Sequence, residues 1–374
     1  MRRISVSIFI VIVSFSLIQP SCGEKPERPT ASGGGETELG DTLYIPLSPA
    51  WDAGNGFDFS SPQDVLVGLD TYIYVADTGN DRIVRLDAGG TIHAVYNGIP
   101  HPTQISQDEL MRLIVVNDTR DVYKIDVGPN GDRVPIICYD ASTRKDSAFV
   151  DASEVFTGVA DYPSIDKAYL LSVSSELTSS GKVIMMQGKG MGDFQDQIMD
   201  SIIVSYDESD TLHNPIVEYG LGAGFAAHPN ALFSFVDEES VYLLMTQDSS
   251  TFKTQLLTIK KVQGGTYNFV SALDPTSNPD IYGLNLFGLP EDACADIPGN
   301  IYVVDSSPSA DYGAYKFNAS GELMESFGPP GSDADQLSNP MGIAYDDNGD
   351  RRIVYIADTG NNRIVRYRLN TDLE

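Results

Sequence analysis

Cysteine is scarce in this sequence, which has three in 374 residues. Cys22 lies in an N-terminal segment discussed below, so only Cys138 and Cys294 remain, and one disulfide is the maximum. Nothing in the local sequence brings these two together, and we expect two separate buried thiols. The chain has no CxxC pair, which excludes the usual thiolate metal sites.

Basic residues are also few. Lys and Arg total 24 against 53 Asp and Glu, for a formal net charge of -29. Nucleic-acid binding relies on clustered Lys and Arg that neutralise phosphates, so no nucleic-acid partner is expected. The sequence has four histidines and no HExxH pair, EF-hand loop, phosphate-binding loop or nucleophile elbow. With these motifs missing, we favour a protein that is not an enzyme.

A long helical period is missing from the interior of the chain, whereas turn-forming and aromatic residues are plentiful. The sequence contains 34 Gly, 21 Pro and 19 Tyr. This composition favours an all-β chain with many turns.

The N-terminus has the pattern of an export signal. Two arginines precede an apolar stretch from Ile4 to Ile18, which is too short to span a bilayer comfortably. Cys22 follows, and its position resembles the lipid-modified cysteine of bacterial lipoproteins, although Gln19 and Pro20 depart from that pattern. The resemblance implies a lipid-anchored protein of the bacterial cell envelope, most simply at the outer membrane. Plain secretion and an uncleaved anchor are the alternatives.

Three segments follow from this pattern. Residues 1–22 are the export signal with Cys22 as the lipid-attachment residue, and residues 23–41, rich in Gly, Pro and charge, are a flexible tether. Residues 42–374 are the folded domain, which we expect to be monomeric.

Two segments near opposite ends of the domain are almost identical. Tyr74–Arg85 reads YVADTGNDRIVR, and Tyr355–Arg366 reads YIADTGNNRIVR. Each predicts a β-hairpin, with an apolar strand, a turn whose glycine tolerates positive φ, and a second strand. The motif resembles the central signature of NHL repeats, and the resemblance implies a β-propeller. Because Asp and Arg recur with the motif, we expect them to serve the architecture.

Weaker copies fill the chain between these segments and predict six second strands. These strands end near Asp77, Asn117, Ser174, Thr246, Asp305 and Asp358. The predicted fold is therefore an all-β, six-bladed, NHL-like β-propeller. Seven blades remain the alternative if residues 175–222 contain another blade.

The two ends of the domain predict how the ring closes. The last repeat stops after its third strand, Arg363–Leu369, while an unassigned strand, Thr42–Leu47, precedes the first repeat. We therefore expect the N-terminal strand to complete the last blade and cover its exposed edge.

A long departure from the repeat lies between Ser175 and Met199. It is rich in Gly and Met, and we interpret it as a loop over the channel mouth. Adaptable methionines suit a binding lid, so the candidate ligand-binding residues are Met185, Met186, Lys189 and Met191. A small hairpin packed on the rim is the alternative. The leading functional hypothesis is a binding or scaffold module for a protein, peptide or glycan ligand.

The rival hypothesis is a metal-dependent lyase or hydrolase. His101 and His228 each precede a proline at matching places in two repeats, and some lyases with NHL-like propellers use channel histidines and calcium. The resemblance thus permits a calcium or zinc site with these histidines. Asp64 and Asp292, with Glu291, begin first strands and offer oxygen ligands for calcium. His-Pro as an ordinary loop start is the alternative for both histidines.

Overall fold

In the computed structural model, the chain is built from antiparallel strands. The structure describes residues 43–107, 111–117, 121–127, 137–140, 145–148, 167–174, 183–189, 203–206, 221–227, 229–237, 240–248, 251–261, 267–349 and 351–370. Within these ranges every helical segment is a single 3-10 turn, and no helix has the length and hydropathy of a membrane span.

The described strands form six sheets, numbered I to VI along the chain. Sheet I contains β2 (Pro62–Val67), β3 (Ile73–Asp77), β4 (Arg82–Leu86) and β5 (Ile92–Asn97). Sheet II contains β6 (Gln104–Gln107), β7 (Arg112–Val116), β8 (Asp121–Asp126), β9 (Ile137–Asp140) and β10 (Lys145–Ala148). Sheet III contains β11 (Lys167–Ser174), β12 (Val183–Lys189) and β13 (Ile203–Tyr206).

The other three sheets have four strands each. Sheet IV contains β14 (Pro229–Asp237), β15 (Ser240–Gln247), β16 (Thr254–Lys261) and β17 (Tyr267–Ser271). Sheet V contains β18 (Pro290–Ala295), β19 (Ile301–Asp305), β20 (Ala314–Phe317) and β21 (Leu323–Phe327). Sheet VI contains β22 (Pro340–Asp346), β23 (Ile353–Asp358), β24 (Arg363–Leu369) and the N-terminal strand β1 (Tyr44–Pro46).

Burial on both faces explains why the second strands read as continuous apolar runs. In β3, every residue is buried. Ile73 and Val75 belong to the core cluster shared with sheet VI, whereas Tyr74 and Ala76 belong to the cluster shared with sheet II. Alternate residues of one strand therefore pack against opposite neighbouring sheets, as the two-residue period of a strand requires.

The repeated Asp and Arg of the two sharp motifs stabilise the turns. Asp77 accepts hydrogen bonds from the Ser60 N–H at 2.7 Å and from the Arg82 Nε at 2.6 Å. Asp358 makes the equivalent bonds to the Ser338 N–H and to the Arg363 Nε, both at 2.6 Å. Each carboxylate therefore ties the chain that leads into its sheet to the turn after its second strand.

The N-terminal strand lies beside the last strand of the chain. Tyr44 pairs with Leu369, and Pro46 pairs with Tyr367. The Tyr44 ring is buried and stacks on Phe327 of sheet V, with 4.8 Å between the ring centroids. The pairing expected between these two ends of the domain is therefore present.

Sheet III differs from the sequence prediction. The segment that ends near Ser174 was expected to be a second strand, but β11 is the first strand of its sheet and contacts the first strands β6 and β14. The second strand is β12, which contains Met185, Met186 and Lys189 and pairs with both β11 and β13. The prediction of a lid loop is therefore wrong for Val183–Lys189, because these residues form a strand. Strand-forming Val183 and Ile184 outweigh the nearby glycines.

Candidate functional site

First strands of the sheets line a space that we call the channel. Its inner part is a cavity of about 280 Å³ between β2, β6, β14, β18 and β22. Its wall combines apolar residues, among them Val65, Leu232 and Ile343, with the polar residues Ser106, Gln107 and Ser234. We call this space the inner cavity.

A second and more polar cavity of about 550 Å³ lies where the first strands begin. Its walls come from the first residues of those strands and from the adjoining turns. We call it the mouth, and its lining residues are Gln63, Asp64, Thr78, His101, Thr103, Gln104, Asn117, Asn230, Glu291, Asp292 and Met341.

Three side chains line both the mouth and the inner cavity: Asp64, Gln104 and Asp292. We call this set the junction. Asp64 and Asp292 occupy the same place in their repeats, two residues after the proline that begins the first strand. At both places the strand register shifts between the proline and the aspartate, which is the signature of a β-bulge. A bulge of this kind redirects a side chain at the end of a strand.

Each junction carboxylate joins two neighbouring sheets. Asp64 accepts the Val65 N–H at 2.7 Å and the Ile105 N–H of sheet II at 2.6 Å. Asp292 accepts the Ala293 N–H at 2.8 Å and the Ile343 N–H of sheet VI at 2.9 Å. The sequence nominated both residues as channel carboxylates, and the structure brings both to the channel.

The charge of Asp292 also affects the pKa of Asp64. Burial is the main cause that raises the pKa of Asp64 well above its usual range, and the charge of Asp292 raises it further. Burial raises the pKa of Asp292 to about 7, against the lowering effect of its two backbone hydrogen bonds, and Glu291 adds to the rise. The charge of Asp292 in sheet V therefore acts on Asp64 in sheet I across the channel.

This rise in pKa makes stability depend on pH. The folded chain keeps the Asp292 proton up to about pH 7, whereas the unfolded chain releases it near pH 4. Across that window the folded state binds more protons, so the free energy of unfolding falls as pH rises, by at most about 1.4 kcal/mol per pH unit for one proton. Urea unfolding is measured at pH 4.5, 5.5, 6.5 and 7.5, values chosen to span about that window. We expect the free energy of unfolding to fall less steeply with pH in Asp292→Asn than in the parent protein.

The matched control is Asp333→Asn, which removes one exposed carboxylate from the chain that leads into sheet VI. Its pH dependence is expected to equal that of the parent protein. Equal slopes in the parent and in Asp292→Asn would contradict the raised pKa of Asp292.

Gln104 is the third junction side chain, and only one end of its amide has a hydrogen-bond partner among the described residues. Its Nε2 donates to the Asn230 carbonyl at 2.7 Å, which fixes the orientation of the amide. Its Oε1 is buried and has no hydrogen-bond partner among the residues that the structure describes. Sequence reasoning missed Gln104, although it stands two residues after Pro102, the repeat position of the two junction aspartates.

The same repeat position in sheet VI is Gly342, and its lack of a side chain shapes the channel wall. A Cβ added there would lie 2.6 Å from the Cα of Asp64 and 2.7 Å from the Gln63 carbonyl oxygen. These are backbone atoms that cannot move aside cheaply. Glycine therefore lets sheets VI and I approach closely enough for Asp64 to reach the junction.

The predicted metal ligands come together only in part. His101 lies at the rim of the mouth with 75% of its side chain exposed, and its Nδ1 is 3.6 Å from an oxygen of Asp81. His228 lies outside the described residues, as do Met191 and Cys22. Among the described residues, no group of three or more His, Cys, Asp or Glu side chains is placed to hold a metal ion. Cys294 is a free, buried thiol on the inner-cavity wall.

Comparison with known proteins identifies the fold. No family model and no curated protein matches the sequence. A gluconolactonase from Xanthomonas campestris superposes with a TM-score of 0.53 at 12% identity, over 89% of this chain and 99% of that chain. A protein of unknown function from Bacteroides thetaiotaomicron gives 0.51 at 13% identity, over 88% and 73%. The fold is a β-propeller.

Another propeller neighbour is an auxiliary nutrient binding protein from Bacteroides thetaiotaomicron. Its TM-score is 0.50 at 11% identity, over 83% of this chain and 69% of that chain. The propeller neighbours thus include an enzyme and a binding protein. One propeller scaffold supports both activities, so the function has to be argued from the junction and its cavities.

Proposed function

We propose that this protein is an envelope-anchored binding propeller that takes its ligand at the channel mouth. The observation that carries the proposal is the junction, where Asp64, Gln104 and Asp292 line both the polar mouth and the inner cavity. A concave site with a few convergent polar groups and carboxyls of perturbed pKa is the usual form of a small-molecule site. The ligand is a small polar molecule, or the end of a peptide or glycan.

The finer architecture that we propose is a closed, six-bladed, NHL-like ring completed by the N-terminal strand. First strands contact one another in the order β2, β6, β11, β14, β18 and β22, and β22 in turn contacts β2. The pairing of β1 with β24 supports the same closure, because it gives sheet VI its fourth strand.

The anchor that we propose is a lipid on Cys22 joined to the propeller by the tether of residues 23–41. Within the described residues, the N-terminal strand can be placed relative to the mouth. First strands begin at the mouth, and β24 runs away from it, so Tyr44, which pairs with Leu369, lies at the opposite end of sheet VI.

Gln63→Trp tests the binding function by placing a large ring at the mouth. The mature protein is incubated with a small-molecule extract of the envelope, and retained molecules are identified by mass spectrometry. We expect the parent to retain a defined set that Gln63→Trp loses. The matched control is Ala334→Trp, which adds the same ring to an exposed position in the chain before sheet VI and is expected to retain the full set.

The same experiment separates binding from catalysis. If the parent instead consumes a molecule of the extract, and Gln63→Trp and metal chelation both stop that consumption, the metal-dependent lyase or hydrolase is favoured. Retention that is the same in all three proteins would contradict a site in the channel.

A further inference from the structure

We propose that the N-terminal strand β1 is a latch whose docking fixes one wall of the inner cavity. The inference goes beyond the proposed binding function, because it holds whatever molecule enters the channel. Three observations carry it: the anchoring of β1 by one side chain, a buried chain of hydrogen bonds that includes this side chain, and a stack of rings that leads from that chain to the inner cavity.

One side chain anchors the short strand β1, which comprises Tyr44–Pro46 and pairs with β24. Leu43 is half exposed, whereas Tyr44 is buried in the core cluster shared by sheets V and VI. The next buried side chain along the chain is Trp51, in a separate cluster between sheets VI and I. A strand of three residues at a sheet edge belongs to the least stable part of a fold. Docking of Tyr44 therefore decides whether β1 stays in place.

The Tyr44 hydroxyl belongs to a buried chain of hydrogen bonds. The Tyr302 hydroxyl donates its single hydrogen to Asp296 Oδ2 at 3.0 Å, so Tyr44 donates the 2.9 Å bond between the two tyrosine hydroxyls. Lys316 Nζ in turn donates to the Tyr44 hydroxyl at 3.3 Å. The chain thus runs from Lys316 to Asp296, both of which are buried, and Tyr44 is the member that β1 contributes.

The polar surroundings of Tyr44 lower the cost of releasing β1. Besides the hydroxyl chain, the Tyr44 N–H donates to the Glu325 carboxylate at 2.7 Å. When β1 leaves, water replaces Tyr44 as the partner of Lys316, Tyr302 and Glu325, whereas water would make no hydrogen bonds with an apolar socket. Release of β1 therefore costs less free energy than the burial of the Tyr44 ring alone implies.

A stack of rings joins Tyr302 to the inner cavity. Tyr345 lies on the cavity wall, and its ring stacks on that of Tyr302 with 5.3 Å between the centroids and 16° between the planes. Cys294 lies on the same wall and is the cross-strand partner of Tyr302 in sheet V. Two wall residues therefore contact or neighbour the ring whose hydroxyl Tyr44 holds. Release of β1 frees Tyr302 and loosens the wall formed by Tyr345 and Cys294.

Coupling of this kind acts in both directions. Docking of β1 orders the wall at Tyr345, and a molecule that packs against Tyr345 inside the cavity favours the docked strand. The latch therefore controls the shape of the inner cavity from the opposite end of the channel, at a distance from the junction side chains.

Labelling of Cys294 with N-ethylmaleimide measures how often the wall opens. The purified protein is labelled without denaturant, and mass spectrometry of the peptide that contains Cys294 separates it from the other cysteines. Tyr44→Phe keeps the stacked ring and removes the hydroxyl, so we expect labelling about tenfold faster than in the parent, the factor for about 1.4 kcal/mol. The matched control is Tyr74→Phe, which removes a hydroxyl that donates to Asp70 at 2.7 Å in sheet I. It is expected to label at the parent rate.

Hydrogen exchange tests the same coupling from the cavity side. The Tyr44 and Leu47 N–H groups report docking, because they donate to the Glu325 carboxylate and to the Arg366 carbonyl. Tyr345→Leu removes the stacking ring and leaves β1 unchanged, and we expect both groups to exchange roughly fivefold faster. The control Leu232→Ala shortens a wall residue outside the stack and is expected to leave their exchange at the parent rate. This variant pair keeps the test decisive if Tyr44→Phe does not fold.

Three results would overturn the inference. In the first, Tyr44→Phe speeds exchange at β1 but leaves Cys294 at the parent labelling rate, so that the strand leaves without opening the wall. In the second, Tyr44→Phe and Tyr74→Phe label equally, which indicates a general loss of stability. In the third, Tyr345→Leu leaves exchange at β1 unchanged. Neither measurement uses a ligand, so failure of the binding function is recorded separately, by the retention experiment with Gln63→Trp.

Discussion

Replacing Asp358 with alanine is expected to lower the free energy of unfolding by about 3–5 kcal/mol, the range for breaking a buried ion pair. The carboxylate holds the Arg363 Nε and the Ser338 N–H, both at 2.6 Å. Only 9% of the Arg363 side chain is exposed, so its charge would stay buried without a counterion. Urea unfolding of the purified variant measures the loss.

The equivalent residue of sheet I is a matched control. Asp77 makes the same bonds, but 23% of the Arg82 side chain is exposed, and water can reach it after the change. We expect Asp77→Ala to cost about 1–3 kcal/mol, the range for an unmade hydrogen bond. Equal losses at the two positions would contradict burial of Arg363 as the cause.

Replacing Tyr44 with alanine is expected to cost about 3–5 kcal/mol, as for other large buried rings. The ring stacks on Phe327, and its hydroxyl lies 2.9 Å from the Tyr302 hydroxyl. The change therefore loosens the N-terminal strand from both sheet V and sheet VI. Chemical unfolding followed by circular dichroism gives the loss.

Tyr44→Phe separates the ring from the hydroxyl. It keeps the stacking on Phe327 and removes two hydrogen bonds of the hydroxyl, one with the Tyr302 hydroxyl and one donated by the Lys316 Nζ at 3.3 Å, so a loss of about 1–3 kcal/mol is expected. A Tyr44→Ala protein as stable as the parent would show that the N-terminal strand does not hold the propeller together.

The repeat motif explains how much of the fold could be predicted from sequence. The two sharp hairpins carry Asp77 and Asp358 at identical places, and the structure forms both strand pairs as expected. The glycine prediction was wrong, because the positive φ of each turn lies at Asp81 and Asn362, both at 52°, and not at Gly79 or Gly360. The missing fourth strand of the last repeat was enough to predict where Tyr44 pairs. Sheet III was assigned wrongly because the apolar run of β11 resembles a second strand, although it occupies the first place.

The junction was only partly predictable, because nothing in the sequence shows which repeats face each other across a channel. Asp64 and Asp292 were nominated by residue type and repeat position. Gln104 was missed because its repeat position, two residues after the proline, has no common chemistry. In the five repeats that begin with a proline, this position is Asp, Gln, Ala, Asp and Gly. Only the three-dimensional arrangement shows that the Gln104 amide lines the same two cavities as the two carboxylates.

Aspartate thus serves two purposes in this propeller. At the turns, an arginine from the same hairpin neutralises Asp77 and Asp358, which stabilises the blades. At the junction, Asp64 and Asp292 accept backbone N–H groups of the neighbouring sheets and still face the channel. The second pair joins sheets and, in our proposal, also receives the ligand.

Titration of the aspartate carboxyl carbons by NMR tests most directly whether Asp64 and Asp292 meet across the channel. Spectra of the parent, Asp64→Asn and Asp292→Asn assign both groups. The expected result is a pKa near 7 for Asp292 and a raised pKa for Asp64 that falls when Asp292 becomes asparagine. Two independent titrations near pH 4, unchanged by either substitution, would contradict the proposed junction.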